Sequence, residues 1–420
     1  MIRVIKRIFY FPLAYYFRFW AKIALNSWKP IIVVITGSSG KTTLLHLIES
    51  QIGNKAKYSH HANSAFGIPF NILGLRRKKL TIDEWIFLFL LAPSQAFRTN
   101  PKEKLYIVEA DCDRPGEGKF LASFLKPEIT LWINSGLTHS INFDYLVKNK
   151  SFPTVEEAIA NEFGSFLKYT KKLAIVNGDN SLIQQNLKEI KIPIEIASKK
   201  SLDLYKINEN STEFIIEDKK YSFNFIAPKD MFYSIKMTKL LTKTLNLPFD
   251  ATFKNLVLPP GRNSIFQGIK DTKIIDSTYN ATPDGVKITL EMFDKYPSKN
   301  KWIILGDMIE LGDKEKDKHE ELAEIINSMD LAKAILIGPR ISKYTYPKLN
   351  LPADKVHHFI LPKDGLDYIL ENIKGGETIL FKGARFLEGI IEHLLLNKKD
   401  IDNLVRRETV WQNRRKAWGL

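Results

Sequence analysis

Ile31-Ile-Val-Val-Ile-Thr-Gly-Ser-Ser-Gly-Lys-Thr-Thr43 is the stretch whose reading decides the fold. Its β-branched apolar run reads as a buried strand. The run breaks into Gly37-Ser-Ser-Gly40, and Leu44-Leu45-His46-Leu47-Ile48 then reads as the start of a helix. Strand, glycine loop, Lys-Thr and helix together make a phosphate cradle, because backbone N–H groups and a helix N-terminus converge on anionic oxygens. Thr36, Gly37, Ser38, Ser39, Gly40 and Thr43 would line that cradle. Lys41 would reach the β- and γ-phosphates, and Thr42 would place its hydroxyl on Mg²⁺. Ile35 stands where the longest form of the pattern has its first glycine, so the match is to the shorter Thr-Gly-x-x-Gly-Lys-Thr form.

The chain has 420 residues, enough for two or three domains with sizeable cores. An apolar share of 44% with 26% charged residues fits a soluble globular protein. Cys112 is the single cysteine, which excludes an intramolecular disulfide and agrees with a cytoplasmic setting. The net charge of +15 favours anionic partners such as acidic lipid or phosphorylated substrates. Neither a tandem repeat nor a nucleic-acid-binding signature is present, so nucleic acid is not expected as a partner.

Residues 1–28 form a basic aromatic segment. Arg3, Lys6, Arg7, Arg18 and Lys22 occur there, with Lys29 following, and no acid interrupts them. The uncharged run from Ile8 to Phe17 is too short to span a bilayer, which takes roughly 20 residues. On a helical wheel the six basic positions fall on one arc. The segment is therefore either a helix at the inner face of a membrane or a basic helix packed on the first domain.

Residues 29–258 alternate strands and helices, as in an α/β domain with a mostly parallel sheet. Strands are expected at 31–35, 105–109, 129–133 and 173–176. Residues 213–225 read as a hairpin turning at Asp218-Lys-Lys220 and appended to that sheet. Leu258-Pro-Pro-Gly261 reads as a linker. A smaller, Rossmann-like α/β domain follows over 259–397, with strands at 273–276, 302–305, 334–337 and 378–381. Residues 398–420 read as a charged helix lying across the surface. Glu109 and His139 each follow a strand and would share a sheet edge with the glycine loop, where a carboxylate and an imidazole suit Mg²⁺ or Mn²⁺.

Several further motifs occur in order. After Thr36–Thr42 come Asn63-Ser-Ala-Phe-Gly-Ile-Pro69, Glu109, Pro127, His139, Asn177-Gly-Asp179 and Pro260-Gly-Arg262. Asp276-Ser-Thr-Tyr-Asn-Ala-Thr-Pro283, Leu305-Gly-Asp-Met-Ile-Glu-Leu-Gly312, His319 and Lys382-Gly-Ala-Arg385 complete the series. Over residues 29–397 the chain resembles the Mur ligase family of ATP-dependent amide-bond-forming enzymes. It is most similar to the MurF type, which joins D-alanyl-D-alanine to a UDP-N-acetylmuramoyl tripeptide. The resemblance implies that a substrate carboxylate attacks the γ-phosphate of ATP to give an acyl phosphate, which an amine then converts to an amide. It places Lys41, His139 and Arg262 at the chemistry, with Thr42, Glu109 and His139 on Mg²⁺. Arg262 would reach the γ-phosphate when the C-terminal domain closes. Asp276 would hold the ribose and Tyr279 and Asn280 the adenine. Asn63, Asp307, Glu310, Lys382 and Arg385 would face the substrates. A monomer acting on a small-molecule or peptide-nucleotide substrate of cell-wall synthesis is expected.

Three features depart from the type. Fewer than thirty residues precede the domain that begins at Lys29, where the type carries a UDP-binding domain, so an acceptor anchored differently is expected. Phe163 stands where many members have a carbamylated lysine bridging two metals, so that Glu162 or Lys168 replaces it or the second metal is held more weakly. Asp230-Met-Phe-Tyr-Ser234 replaces a stretch rich in side-chain amides. Two other readings stand beside the leading one. One is a related ligase using a folate-polyglutamate, cyanophycin-like or lipid-linked acid. The other is a non-catalytic nucleotide-binding module at a membrane surface.

Overall fold

The computed structural model describes residues 9–77, 81–383 and 386–420. Two compact units emerge: residues up to 199 with 233–256, and residues 200–232 with 257–420.

In the first unit, α1 (Tyr10–Trp28) precedes β1 (Ile31–Thr36), the glycine loop and α2 (Lys41–Ile52). Then come β2 (Ala56–Tyr58), α3 (Gly67–Leu73), α4 (Ile82–Arg98), β3 (Leu105–Ala110), α5 (Glu117–Leu125) and β4 (Ile129–Trp132). The unit is completed by α6 (Asp144–Lys148), α7 (Val155–Tyr169), β5 (Leu173–Asn177), α8 (Ser181–Leu187), β6 (Ile194–Ala197) and α9 (Met231–Thr244). The six strands pair in the order β2-β3-β1-β4-β5-β6, and every pairing is parallel. Crossover helices cover both faces of a parallel sheet, which is why β1, β3, β4 and β5 are nearly continuous apolar runs. Strand order reverses about β1, and in open α/β sheets ligands bind beyond the carboxyl ends of the strands at such a reversal. The glycine loop leaves β1 at that end.

Helix α1 is part of this unit's core rather than an appendage. Ala14, Phe17, Ala21 and Ala24 are buried with residues of α3, α4 and α5. The small alanines permit close approach, and burying a side chain the size of Phe17 contributes about 2 kcal/mol. Arg18 turns inward as well. Its guanidinium donates to the Phe120 carbonyl at 2.6 Å and to Ser123 Oγ at 3.1 Å, and lies over the Phe120 ring. The single basic arc expected for this segment is therefore broken at Arg18. Arg3, Lys6 and Arg7 lie outside the described residues.

In the second unit, β7 (Leu202–Ile207), β8 (Thr212–Ile216) and β9 (Lys219–Phe223) form an antiparallel sheet of their own, not an extension of the first sheet. The β8–β9 turn is Glu217-Asp218, with φ of 51° and 61°, the doubly left-handed geometry that matches strand twist in a two-residue hairpin. A larger sheet has the order β10-β11-β15-β12-β13-β14, built from β10 (Ser264–Gln267), β11 (Lys273–Asp276), β12 (Lys301–Gly306), β13 (Lys333–Ile337), β14 (Val356–Phe359) and β15 (Thr378–Lys382). Only β10 is antiparallel. Helices α10 (Pro283–Asp294), α11 (Glu315–Asn327), α12 (Pro362–Asn372) and α13 (Leu387–Leu394) accompany it, and α14 (Thr409–Lys416) ends the chain. The expected fold class, a parallel-sheet α/β unit followed by a second α/β unit, is the one observed. The C-terminal tail is more than a surface helix, because Arg415 is buried and pairs with Glu388 and Glu392 of α13.

Candidate nucleotide-binding site

The loop after β1 is held open by its own backbone and by Asn134, just past β4. Gly37 has φ of +136°, and a Cβ there would lie 2.6 Å from the Asn134 carbonyl oxygen, so only glycine fits. Asn134 Oδ1 accepts from Ser39 N at 3.0 Å and from Ser38 Oγ at 3.1 Å, and its Nδ2 donates to Ser39 Oγ at 2.6 Å. Gly40, with φ of +80°, starts α2 without a side-chain cap. That leaves the first-turn N–H groups available to an anion.

Lys41 is buried. Its Nζ donates to the Gly37 carbonyl at 2.5 Å and lies 2.9 Å from Asp111 Oδ2. Burial alone would lower its pKa, but Asp111 and Glu109 outweigh burial and hold it above the ordinary lysine value, so the side chain is a fixed cation. Thr42 Oγ1 donates to the Glu109 carboxylate, 2.9 and 3.1 Å from its two oxygens. A hydroxyl and a carboxylate converging beside a phosphate loop form the oxygen donor set that suits Mg²⁺. Ser59 Oγ accepts from Glu109 N at 2.8 Å and steadies this strand end.

His139, in the left-handed region at φ 51°, has Nε2 3.2 Å from Asp113 Oδ1. Donor atoms of Asp111, Asp113 and His139 all lie within 4.8 Å of one another, a second set that could hold a cation. Burial raises the Asp113 pKa, His139 opposes this and Asp111 adds to it. Asp111 and Asp113 were not singled out from the sequence. The available signal was their place two and four residues beyond Glu109, where β3 leaves the sheet.

The departure at Phe163 is resolved by packing. Phe163 is fully buried on α7, with its ring 6.4 Å from that of Trp132. Glu162 is engaged elsewhere: its oxygens accept from Gly116 N at 2.8 Å and Gly118 N at 2.9 Å at the start of α5. Lys168 is exposed near the end of α7. In the Asp230–Ser234 departure, the Tyr233 hydroxyl donates to Asp179 Oδ2 at 2.8 Å and so ties α9 to the Asn177-Gly-Asp179 turn. Asn63 is half-buried, and its carbonyl accepts from Asp111 N at 2.8 Å.

In the second unit, Asp276 ends β11 fully buried. Its Oδ1 accepts from Thr278 N at 2.9 Å and Thr278 Oγ1 at 2.6 Å, while Oδ2 has no hydrogen-bond partner among the described residues. Burial raises its pKa. The Arg262 guanidinium lies 3.9 Å from the centre of the Tyr279 ring, and Tyr279 N donates to the Gly261 carbonyl. Tyr279 and Asn280 are exposed. Lys382 at the end of β15 is buried, its Nζ 3.3 Å from Ser277 Oγ, and burial with the Arg262 charge brings its pKa down to about 8. The Gly306 and Gly383 turns meet: a Cβ on Gly383 would lie 2.3 Å from Gly306 N. The structure therefore brings together the two motifs expected to face the amine substrate.

Within those motifs the roles divide. Asp307 is fully buried, and its Oδ1 accepts from Arg340 N at 3.0 Å and Ile341 N at 2.9 Å. Asp307 thereby fixes the turn after β13. His319 supports the loop after β12, with Nε2 accepting from Met308 N at 3.2 Å and Nδ1 donating to the Glu315 carbonyl at 2.7 Å. Glu310 is exposed, in the left-handed region at φ 63°. Arg385 lies outside the described residues.

Residues 35–241 match the family profile described as the Mur ligase middle domain, and residues 261–385 match the Mur ligase glutamate ligase domain. A UDP-N-acetylmuramoyl-tripeptide–D-alanyl-D-alanine ligase of Rickettsia prowazekii is 27% identical over 66% of this chain and 63% of its own length. The enzyme of the same name from Buchnera aphidicola subsp. Acyrthosiphon pisum is 25% identical over 88% of this chain and 78% of its own. Among solved structures, the Thermotoga maritima MurF ligase in complex with ADP superposes with a TM-score of 0.71 at 22% identity, covering 93% of this chain and 84% of that one.

Proposed function

The chain belongs to the Mur ligase family, and we propose that it is an ATP-dependent peptide ligase of cell-wall precursor synthesis, of the MurF type. It would activate the carboxylate of a muramoyl peptide and join it to D-alanyl-D-alanine or another amino acid. The observation that carries this reading is the Thr42–Glu109 pair, closed at 2.9 Å beside a built phosphate loop whose lysine is a fixed cation.

The reaction has two steps. A carboxylate oxygen of the acceptor attacks the γ-phosphorus of ATP and ADP leaves, giving an acyl phosphate. The amine nitrogen then attacks the acyl carbon, phosphate leaves with the electron pair of the broken C–O bond, and the nitrogen loses a proton. The first step brings an anion onto a polyanion, so most of its barrier is charge repulsion. Mg²⁺, when bound, neutralises phosphate charge. Thr42 and Glu109 would hold one such ion, and Asp111, Asp113 and His139 have the donor chemistry for another. Lys41 supplies a positive charge that needs no reorganisation, because Gly37 and Asp111 already hold it in place. For the second unit we assign the ribose to Asp276, whose buried Oδ2 has no donor among the described residues and would take one from a ribose hydroxyl. Tyr279 and Asn280 take the adenine, Arg262 the γ-phosphate, and Glu310 and Lys382 the incoming substrate.

Phosphate release from ATP, followed with UDP-muramoyl tripeptide and D-alanyl-D-alanine supplied together, tests the reading. Turnover that requires both, and that in Glu109→Gln needs more Mg²⁺, is the expected result. ATP binding without turnover on these or other acyl acceptors would replace it with the binding-module reading.

A further inference from the structure

We propose that the outward apolar faces of α1 and α4 form a docking surface for an anionic lipid bilayer, on which the protein lies without crossing it. Helix α4 is apolar on nearly every side. Leu88, Ala92 and Ala96 are buried against the unit, as expected for an amphipathic helix. Its opposite face carries Ile82, Ile86, Phe87, Leu90 and Phe97, exposed by as much as 80% at Ile82 and 76% at Leu90. A helix that is apolar all round is stable when its outer face is also covered. Helix α1 adds exposed Phe9, Leu13 and Phe19.

The two helices form one platform within the first unit. The Tyr16 hydroxyl donates to the Phe89 carbonyl at 2.7 Å, the Tyr16 and Phe89 rings are 4.7 Å apart, and Trp20 meets Phe97 at 6.4 Å. These are outward helix faces rather than a groove, the shape that beds into the headgroup–acyl boundary. None of the described helices is long and apolar enough to cross a membrane.

Charge decides between lipid and the alternatives. Arg76 and Arg77 are exposed shortly before α4. Arg98 ends the helix, Lys102 and Lys104 follow it, and Lys22 and Lys29 are exposed on and after α1. Asp83 and Glu84 in the first turn of α4 and Glu103 beyond it are the nearby acids in sequence, so the rim is strongly basic. A basic rim around an apolar face matches anionic headgroups above acyl chains. Two copies of a chain with net charge +15 would instead press like-charged rims together if they paired through this face.

The test uses the full chain and vesicle flotation with phosphatidylcholine alone or mixed with phosphatidylglycerol. Binding to the mixed vesicles, weakened by salt and reduced at least about tenfold in Phe87→Glu/Leu90→Glu, is expected, because charge on the apolar face opposes insertion. Circular dichroism and ATP binding report whether each variant is folded. The milder Leu90→Ser and the rim variant Arg76→Glu/Arg77→Glu carry the test if the double variant is not. Absence of binding to anionic vesicles would overturn the proposal, as would equal binding by all folded variants. Self-association abolished by the same substitutions, without vesicle binding, would reassign the face to a second copy of the chain.

Discussion

The Lys41 ammonium is 2.9 Å from an Asp111 carboxylate oxygen, and both side chains are nearly inaccessible to solvent. The pair is thus a buried counter-ion arrangement around which the phosphate loop is set before nucleotide arrives. Removing one member of a buried pair leaves the other uncompensated, at a cost of about 3 kcal/mol. Asp111→Asn is therefore expected to lower the unfolding free energy by about that amount, and Lys41→Ala should abolish turnover while leaving the fold intact. The double variant should be more stable than the sum of the two losses implies, which urea unfolding of all four proteins measures as a coupling energy. Additive losses would mean that the two groups do not act as a pair.

Phe163 gives a second expectation. If the position merely lacked a metal ligand, Phe163→Lys would improve metal binding. The ring is instead fully buried in the core that includes Trp132, so an ammonium there would be cut off from water. The substitution is expected to destabilise the protein by several kcal/mol, on the order of 3 or more, and to leave the Mg²⁺ dependence of activity unimproved. Thermal unfolding checks the first half and a Mg²⁺ titration of turnover checks the second.

The contrast between positions 163 and 31–43 shows what was legible in the chain and what was not. The phosphate loop and the strand end at Glu109 could be read because their chemistry is local, whereas Asp276 and the Gly306 and Lys382 motifs were legible only through the resemblance to a family. A strand must end, and a glycine loop after it must turn tightly. Asn134 could not be read, because it works on residues about a hundred positions earlier through hydrogen bonds that leave no spacing pattern. Asp307 was placed by the family motif Leu305–Gly312 alone, which carries no trace of the Arg340 and Ile341 N–H groups beyond β13 that its Oδ1 accepts from. The basic arc was read over residues 3–29, and tertiary packing turns its Arg18 inward, while α4 carries exposed apolar residues that the sequence reading did not weigh.

Lys382 predicts a pH dependence of stability. Burial first, and the Arg262 charge second, bring its pKa from 10.5 down to about 8, with Asp276 opposing. Below about 8 the ammonium is charged in both states. Between about 8 and 10.5 the unfolded chain binds more protons than the folded one, so folding is favoured increasingly as pH rises. The wild-type unfolding free energy should gain about 3 kcal/mol across that window relative to Lys382→Met, which has no such proton to lose. Urea titrations of both proteins on either side of pH 8 isolate the difference from other titrating groups. Parallel pH curves would show that Lys382 keeps an ordinary pKa.

Arg406 links the C-terminal tail to the loop assigned to the nucleotide. It takes a left-handed backbone conformation at φ 58°. Its guanidinium donates to the Thr278 carbonyl at 3.1 Å and to the Tyr279 carbonyl at 2.8 Å, while Glu388 at 3.4 Å holds its charge in place. Those carbonyls directly follow Asp276 and Ser277, so the arginine fixes the path of the segment that presents Asp276 Oδ2 and the Tyr279 ring. It is a positioning residue. Arg406→Ala removes two charge-assisted hydrogen bonds, and the resulting loss of order should weaken binding of a non-hydrolysable ATP analogue about tenfold. The effect should fall on KM for ATP, with kcat changed less than about twofold, because no reacting atom is touched. Arg406→Lys, which can keep one of the two contacts, should recover part of the affinity. Equal affinities for wild type and Arg406→Ala would show that the loop holds its shape without the tail. Equal losses in KM and kcat from a protein of lowered thermal stability would indicate that the tail supports only the fold of the second unit.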